Sequence, residues 1–362
     1  MTMNRKNLAL LILLAALLAF VGCSSDDDPG TPEDEDYNFT SILADYTANV
    51  VVATYAEMAT DCASLLAAVE AVENDPTQDH VDAACAAWVE ARAPWEASEA
   101  FLFGPAGFMN LDPSVDSWPL DHQQLDDVLA SSFELTPEFV ADGLGPALRG
   151  YHTVEYLLFR DGMPRNVADI TERERQYLVA ATTVLSNDAT LLHEAWAVGI
   201  DGGTPFKDEF DAAGTGGSRY SSQRAAVQEL IEGAIAICDE VANGKIADPY
   251  DENDPGLVES QFSFNSLRDF QNNIRSVQNA YLGTYGGVPG TAHGLTDFVA
   301  EKNADLDTRL KGEIEAAIAA IAAIPEPFRN NLNASTEIEA AQAAIVTVMN
   351  TLSDDVSGLV FD

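Results

Sequence analysis

The chain has 362 residues and a formal net charge of −41, from 18 basic and 59 acidic side chains. Such a negative field repels nucleic acid and anionic lipid, so both are excluded as partners. The length is sufficient for two domains, each with its own hydrophobic core.

The N-terminus has the pattern of an export signal followed by a lipidation site. Arg5 and Lys6 precede an apolar run, residues 8–21, which is shorter than the roughly 20 residues of a membrane-spanning helix. The run ends just before Cys23, in a pattern that resembles a bacterial lipobox. We therefore predict a signal peptide over residues 1–22 and lipidation of Cys23. The alternative is an ordinary cleaved signal that happens to end in Cys.

Residues 23–39 predict a solvated, lipidated tether. Two acidic runs, Asp26–Asp28 and Glu33–Asp36, leave this stretch unable to bury apolar surface. The composition resembles the surface-export signal of lipoproteins in Bacteroides-like bacteria. This resemblance implies an outer-membrane lipoprotein, exposed on the cell surface and held to the membrane through its lipid anchor. The periplasmic face is the alternative location.

The remainder predicts an all-α fold, because apolar residues recur with the 3.6-residue period of helices and no strand alternation is convincing. A Gly-rich loop over residues 199–218 predicts a divide between two helical-bundle domains, residues 40–200 and 201–362. The predicted helices are, in chain order, 40–73, 79–102, 121–130, 143–159, 171–198, 219–243, 265–282, 294–323 and 335–352.

Cysteine usage is sparse. With Cys23 committed to lipid, Cys62, Cys85 and Cys238 remain, and export permits a disulfide that would join the first two helices through Cys62 and Cys85. The sequence has no CxxC and no Cys/His cluster, which excludes a structural zinc site of the finger type.

An ionisable pair interrupts a face that otherwise looks buried. Residues 150–155 read GYHTVE, and His152 and Glu155 occupy positions where the helical period expects Leu or Ile. Burying such groups unpaired costs several kcal/mol. Their partner is therefore a metal ion or bound ligand, or else an internal salt bridge.

The second helix shows the same anomaly. Arg92 and Glu99 share the face of Trp95, about 10 Å apart along the helix axis if the helix is continuous. Each then needs its own partner. Arg92 is placed to neutralise Glu155, and Glu99 to face His152. That arrangement would close a salt-bridge network without any ligand.

Together these blocks resemble the imelysin family over about residues 40–355. The signature GxHxxE is short, whereas the ordered set of blocks is specific. The matching blocks are GYHTVE at 150–155, WVEARAPW at 88–95, SEAFLFGP at 98–105, DSWP at 116–119, ESQFS at 259–263 and, more loosely, residues 265–281.

The resemblance implies an exported protein of two helical bundles that binds a metal or a metal-bearing small ligand in iron or haem uptake, with an outer-membrane uptake partner. It makes His152 and Glu155 the metal ligands, with iron or zinc as the divalent metal and haem as a further candidate. We add Glu99 as a third ligand. The other residues that the matching blocks place around the ligand are Arg92, Trp95, Trp118 and Ser263.

Two other functions stay open. The family name comes from an insulin-cleaving protease, which implies a zinc-dependent endopeptidase. Such enzymes use three protein ligands, an open position for water and a general base. Here Tyr156 follows Glu155 and no second His adjoins the motif, so a base would have to come from elsewhere and no catalytic residue is assigned. The third function is a non-enzymatic surface interaction protein whose polar cluster is structural.

Overall fold

Helices make up nearly all of the regular structure in the computed structural model, which describes residues 37–287 and 292–361. The predicted all-α fold is confirmed. The predicted signal peptide, Cys23 and the acidic tether up to residue 36 lie outside the described residues.

The first half contains nine α-helices. They are α1 (Thr40–Asp45), α2 (Ala53–Asn74), α3 (Gln78–Glu96), α4 (Pro105–Phe108), α5 (Leu111–Val115), α6 (His122–Ala130), α7 (Pro137–Gly143), α8 (Gly150–Leu158) and α9 (Glu172–Ala197) in the described chain. A two-stranded antiparallel hairpin, β1 (Phe159–Arg160) with β2 (Met163–Pro164), follows α8. It is too short to show the alternation by which strands are recognised in a sequence.

The second half continues with helices. They are α10 (Lys207–Asp211), α11 (Gln223–Glu240), α12 (Ala247–Glu252), α13 (Ser266–Leu282), α14 (Leu295–Lys302), α15 (Ala304–Ala322), α16 (Ser335–Asn350) and α17 (Ser357–Phe361). Wider π-helical turns continue three of the helices, at Tyr46–Val52, Val241–Lys245 and Thr351–Val356. Short 3₁₀ turns lie at Glu99–Phe101, Pro146–Leu148, Val167–Asp169, Pro255–Leu257, Tyr285–Gly287 and Phe328–Asn330.

Helix α2 packs at the centre of the first half, against α3 and α9. Its apolar stripe is fully buried, as Tyr55, Met58, Cys62, Leu65, Val69 and Val72. In the described part of the chain, Thr40–Asn74 is the one helical stretch whose length and composition would let it cross a membrane. Core helices pass the same test, and this stretch packs as one.

Local capping signals set several helix ends. Helix α9 begins with a capping box: Thr171 Oγ1 accepts a hydrogen bond from Glu174 N at 3.2 Å, and Glu174 Oε2 accepts one from Thr171 N at 2.7 Å. The helix predicted over 294–323 is instead two helices. Asn303 interrupts it with extended backbone, and its side chain caps α15 through Leu306 N at 3.1 Å.

Two further boundaries differ near the polar residues of interest. Helix α3 ends at Glu96, so Glu99 lies on the following 3₁₀ turn and not one heptad along the same helix. The helix bearing His152 starts at Gly150, not near residue 143. Both changes alter the direction of the chain, so the partners of these polar groups differ from those expected for continuous helices.

Helices from before and after residue 200 pack on each other, as α3 does on α13 and the Glu99–Phe101 turn does on α11. Residues 38–362 accordingly form one compact unit. The boundary between residues 200 and 201 stays a prediction. The Gly-rich loop itself carries α10, whose Phe210 packs near Trp196 with ring centroids 5.9 Å apart.

The three cysteines in the described residues are free, buried thiols. The disulfide between Cys62 and Cys85 is therefore not formed. Each sulfur instead meets a polar group of the helix opposite: Cys62 Sγ lies 3.2 Å from Tyr151 Oη, and Cys85 Sγ lies 3.6 Å from Leu158 O. Burial raises the pKa of both thiols to about 12, which leaves them unreactive at neutral pH.

Candidate functional site

Ionisable side chains from five segments meet between α3, α8 and α13. We call this set the polar cluster. Its members are Arg92, Glu96, Glu99, Asp116, His152, Glu155, Lys245, Glu259 and Asp269, and each is at least nine-tenths buried or, for Lys245 and Asp116, nearly so.

His152 stands between two carboxylates. Its Nδ1 lies 3.1 Å from Glu155 Oε2 and its Nε2 lies 3.1 Å from Asp116 Oδ1. Burial and Arg92 oppose a charge on the ring, but hydrogen bonds to Asp116 and Glu155 and the Asp116 charge raise the pKa of His152 well above its usual value. The imidazole is therefore a cation that donates to both neighbours.

Glu155 is held from the opposite side by the segment after the Pro255–Leu257 turn. Its Oε1 accepts hydrogen bonds from Phe262 N at 3.0 Å, Ser263 N at 2.8 Å and Ser263 Oγ at 2.7 Å. With Oε2 on His152, both oxygens have partners. Ser263 thus contacts Glu155, and this contact links the segment to α8.

Arg92 is the central cation. Its guanidinium is fully buried and contacts Glu96 Oε1 at 2.5 Å, Glu259 Oε1 at 3.0 Å and Asp116 Oδ1. The expected pairing of Arg92 with Glu155 is wrong, because no ion pair joins them in the described residues and Glu155 is taken by His152. The direction of the Arg92 side chain follows from its own helix, where Glu96 lies one turn further along.

Trp95 and Trp118, which the family resemblance places around the ligand, contact two residues of the polar cluster. Trp95 Nε1 donates to Asp116 Oδ2 at 2.6 Å, and the Trp118 ring lies 4.7 Å from the His152 ring, centroid to centroid. Asp116 therefore has one oxygen fixed by Trp95 and the other shared by Arg92 and His152.

A second cation, Lys245, closes the cluster toward solvent. Its Nζ lies 3.2 Å from Glu99 Oε1, 3.2 Å from Glu259 Oε2 and 3.9 Å from Glu96 Oε2. The expected contact of Glu99 with His152 is replaced by this one, since the 3₁₀ turn carries Glu99 away from α8.

The pKa values of the cluster's carboxylates are shifted in different directions. Burial would raise the pKa of Asp116, but Arg92 and His152 hold it well below its usual value. Burial acts on Glu259 too, yet Lys245, His152 and Arg92 lower its pKa to about 2. Glu99 goes the other way, because burial and crowding by other carboxylates outweigh Lys245 and raise its pKa.

A cleft of about 510 Å³ opens directly on the cluster. Its wall includes Glu99, Asp116, Trp118, Lys245 and Glu259, whereas His152 and Glu155 are not part of it. A guest in the cleft would meet the carboxylates first. Three of these five residues, Glu99, Asp116 and Glu259, are acidic. The cleft therefore favours the binding of a cation.

Two groups of potential ligand atoms converge beside this cleft, each within 4.8 Å. One is Asp116, His152 and Glu259, and the other is Glu96, Glu99 and Asp116. Of the three predicted ligands, the structure places His152 in the first group and Glu99 in the second. Glu155 belongs to neither group, and its assignment as a ligand stays a prediction.

Sequence reasoning did not single out Asp116, Glu259 or Lys245. Asp116 and Glu259 each begin a block that resembles the family, DSWP and ESQFS, which was the available signal. Lys245 had none. It lies in no matching block and reaches the cluster only because of the π-helical turn Val241–Lys245.

Gly150 positions the helix that carries His152. It has φ +79°, and a Cβ added there would lie 2.3 Å from Val115 O, beside Asp116. We expect Gly150→Ala to destabilise the protein by about 2–4 kcal/mol, from backbone strain and the clash together. Denaturant unfolding measures this. Gly145→Ala is the matched control, since a Cβ there meets nothing within 4 Å, and an equal loss in both variants would contradict the account.

An all-helical fold with a buried His–carboxylate pair from a GxHxxE helix, beside an acidic cleft, defines an imelysin-type protein. A family model described as Imelysin matches residues 51–355, and the chain belongs to the imelysin family. The label of that model places the family among the peptidases.

The chain is also similar to individual proteins. The chain is 31% identical over 319 residues to "Iron-regulated protein A" of Synechococcus elongatus, covering 87% of this chain and 85% of the relative. A crystal structure from Parabacteroides distasonis, provisionally named an iron-regulated protein A precursor, has a TM-score of 0.81 at 31% identity over 91% of this chain and 97% of that one. An imelysin-like protein from Psychrobacter arcticum shares the fold, with a TM-score of 0.70 at 14% identity over 87% and 94% of the two chains.

Proposed function

We propose that this protein binds a metal cation, iron before others, at the floor of the acidic cleft, and does so in iron acquisition. The observation that carries the proposal is that Asp116 and Glu259 both line the cleft and both belong to one group of converging ligand atoms, with His152 Nε2 as the third. Asp116 also belongs to the second group.

The donor set fits a hard or borderline cation. Carboxylate oxygens with one imidazole suit iron, manganese or zinc. Glu259 is 5% exposed, and its Oε2 accepts no hydrogen bond within the described part of the chain, although Lys245 Nζ lies 3.2 Å away. A buried carboxylate oxygen in that state lacks a hydrogen-bond donor and can take a metal cation in place of the ammonium. Binding at His152 Nε2 would release a proton, because the free ring is an imidazolium.

The choice of iron rests on the relatives. Two proteins at 31% identity over most of this chain carry the name iron-regulated protein A. The ionic metal is preferred over haem because the carboxylates that line the cleft, among them Glu99, Asp116 and Glu240, would repel haem's own carboxylates.

Metal binding to purified wild-type protein tests the proposal. Fe²⁺ without oxygen, Mn²⁺ and Zn²⁺ would be titrated by calorimetry, and the bound metal counted by elemental analysis. We expect one tight site that Asp116→Asn weakens about 100-fold or more, beyond the usual loss of an outer-shell partner. Glu259→Gln and Glu99→Gln then separate the two ligand groups.

Asp112→Asn is the matched control. Asp112 lines the same cleft but belongs to neither group of converging atoms. Binding that is absent in the wild type, or that Asp112→Asn weakens as much as Asp116→Asn does, would contradict the proposal.

We also propose that the protein is a lipoprotein, anchored through Cys23 to the outer membrane. It would be exposed at the cell surface and would work with an outer-membrane uptake partner. The signal-like run over residues 8–21, the following Cys23 and the acidic stretch after it support this location. An outward position would bring the cleft into contact with extracellular metal.

Zinc-dependent proteolysis is the competing function, and the family label is what favours it. Digestion of casein or insulin, with and without chelator, separates the two. Cleavage that the chelator stops and Asp116→Asn abolishes would support the peptidase instead.

A further inference from the structure

Lys245 contacts a carboxylate from each of the two groups of converging ligand atoms, Glu259 and Glu99. Its Nζ contacts Glu259 Oε2 and Glu99 Oε1, each at 3.2 Å, and has Glu240 Oε1 at 3.8 Å and Glu96 Oε2 at 3.9 Å. Four carboxylates therefore share one ammonium group. This geometry is that of a cation site occupied by a cation from the protein itself.

We propose that the Lys245 ammonium is an internal competitor for the metal: it neutralises Glu259 and Glu99 when no metal is bound, and it must leave before a metal can bind them. The inference deepens the proposed function and rests on it. It assigns Lys245 a role in setting affinity that no motif in the sequence indicates.

Coulomb's law gives the reason for competition. A metal bound to carboxylate oxygens lies about 2.0–2.5 Å from them, and an ammonium 3.2 Å from the same oxygens would be only a few ångström from the metal. At that separation, in a poorly solvated site, two positive charges repel strongly. Glu259 and Glu99 can serve one cation or the other.

The chain gives Lys245 room to leave. Its side chain is 10% exposed and already lines the cleft of about 510 Å³. The lysine stem is flexible, with four rotatable methylenes. It is carried by the π-helical turn Val241–Lys245, and π-bulges within helices are frequent at functional sites. Displacement therefore requires only that the side chain swing into the cleft, toward Glu240 at its rim.

Mn²⁺ titration of Lys245→Met, in the full-length chain, tests the inference. Met keeps the apolar stem and removes the charge. We expect Mn²⁺ to bind about 10- to 100-fold more tightly than to the wild type, the range typical of coupling between sites. Lys207→Met is the matched control, because Lys207 pairs with two carboxylates, Asp208 at 2.7 Å and Asp211 at 3.4 Å, away from the cleft. It should leave the affinity unchanged.

A second measurement does not depend on a variant that could fail to fold. In the wild type, Lys245 should be protected from an amine-acylating reagent without metal and become reactive when Mn²⁺ is bound, as read by mass spectrometry. Lys207 and Lys302, exposed or half-buried in the structure, are the internal references and should not change.

The outcomes separate the two proposals. One outcome is that the wild type binds Mn²⁺ at a site that requires Asp116, while Lys245→Met binds equally or more weakly and Lys245 stays protected. The proposed competition is then overturned, and the metal site stands. If neither protein binds Mn²⁺, both fall. If Lys245→Met alone binds Mn²⁺, the wild-type ammonium blocks the site completely, and the proposed function of the wild-type protein is overturned.

Discussion

Replacing Arg92 by Met should destabilise the fold by about 3–5 kcal/mol, the usual cost of leaving a buried ionic group without its partner. The guanidinium is 0% exposed and contacts carboxylates of Glu96, Asp116 and Glu259. Met fills most of the stem's volume, so the loss reflects charge more than a cavity. Urea unfolding at neutral pH, followed by circular dichroism, measures the change in free energy.

Arg268→Met is the matched control. Arg268 also pairs with a glutamate, Glu90, at 3.2 Å, but the two side chains are 42% and 69% exposed. Exposed ion pairs contribute about 0–1 kcal/mol. Equal losses in the two variants would show that Arg92 does not stabilise the cluster in the way that its contacts indicate.

The long helices of this fold could be predicted because their signals are local. The apolar stripe of α2 and the capping box of Thr171 and Glu174 involve residues within a few turns of one another, so the sequence carries them directly. The break at Asn303 has a local signal as well, since Asn303 is the N-cap residue of α15. The helical period of apolar residues continues before and after it, however, and hides the break.

The site was predictable only in part. That His152 and Glu155 are buried and paired follows from their place on an apolar face, and the structure shows both fully buried. Their partners come from segments far away in the chain: Asp116 from the end of α5, and Glu259 from more than a hundred residues downstream. Periodicity cannot report such tertiary pairings. The family resemblance found the blocks but not which of their residues face one another.

The end of α3 helps to explain why the predicted contact of Glu99 with His152 is wrong. Arg92 and Glu99 share one face, a heptad apart, if α3 continues, but α3 ends at Glu96. Arg92 then pairs within its own helix and with Asp116, while Glu99 turns toward Lys245. A difference of six residues in the predicted end of one helix therefore changed the partner of Glu99, whereas Arg92 pairs with Glu96 inside the helix.

Replacing Glu259 by Gln should remove that residue's share of the cluster's dependence on acid. The folded pKa of Glu259 is about 2, below the ordinary 4.5, so its charge stabilises the fold above pH 4.5, and that stability is lost as the pH falls toward 2. The difference corresponds to about 3 kcal/mol at neutral pH. Free energies of unfolding from pH 7 to pH 2 should therefore differ by that amount at pH 7 and converge at pH 2.

Glu99→Gln should show the opposite dependence, although Glu99 shares Lys245 with Glu259. The pKa of Glu99 is raised by burial and by neighbouring carboxylates. Ionising it in the folded state therefore costs stability as the pH rises above the unfolded value, and the Gln variant, which cannot ionise, should gain on the wild type over that range. Two carboxylates on one ammonium then titrate in opposite directions because only Glu259 also has Arg92 and His152 beside it. If both variants shifted the same way with pH, this division of charge within the cluster would be wrong.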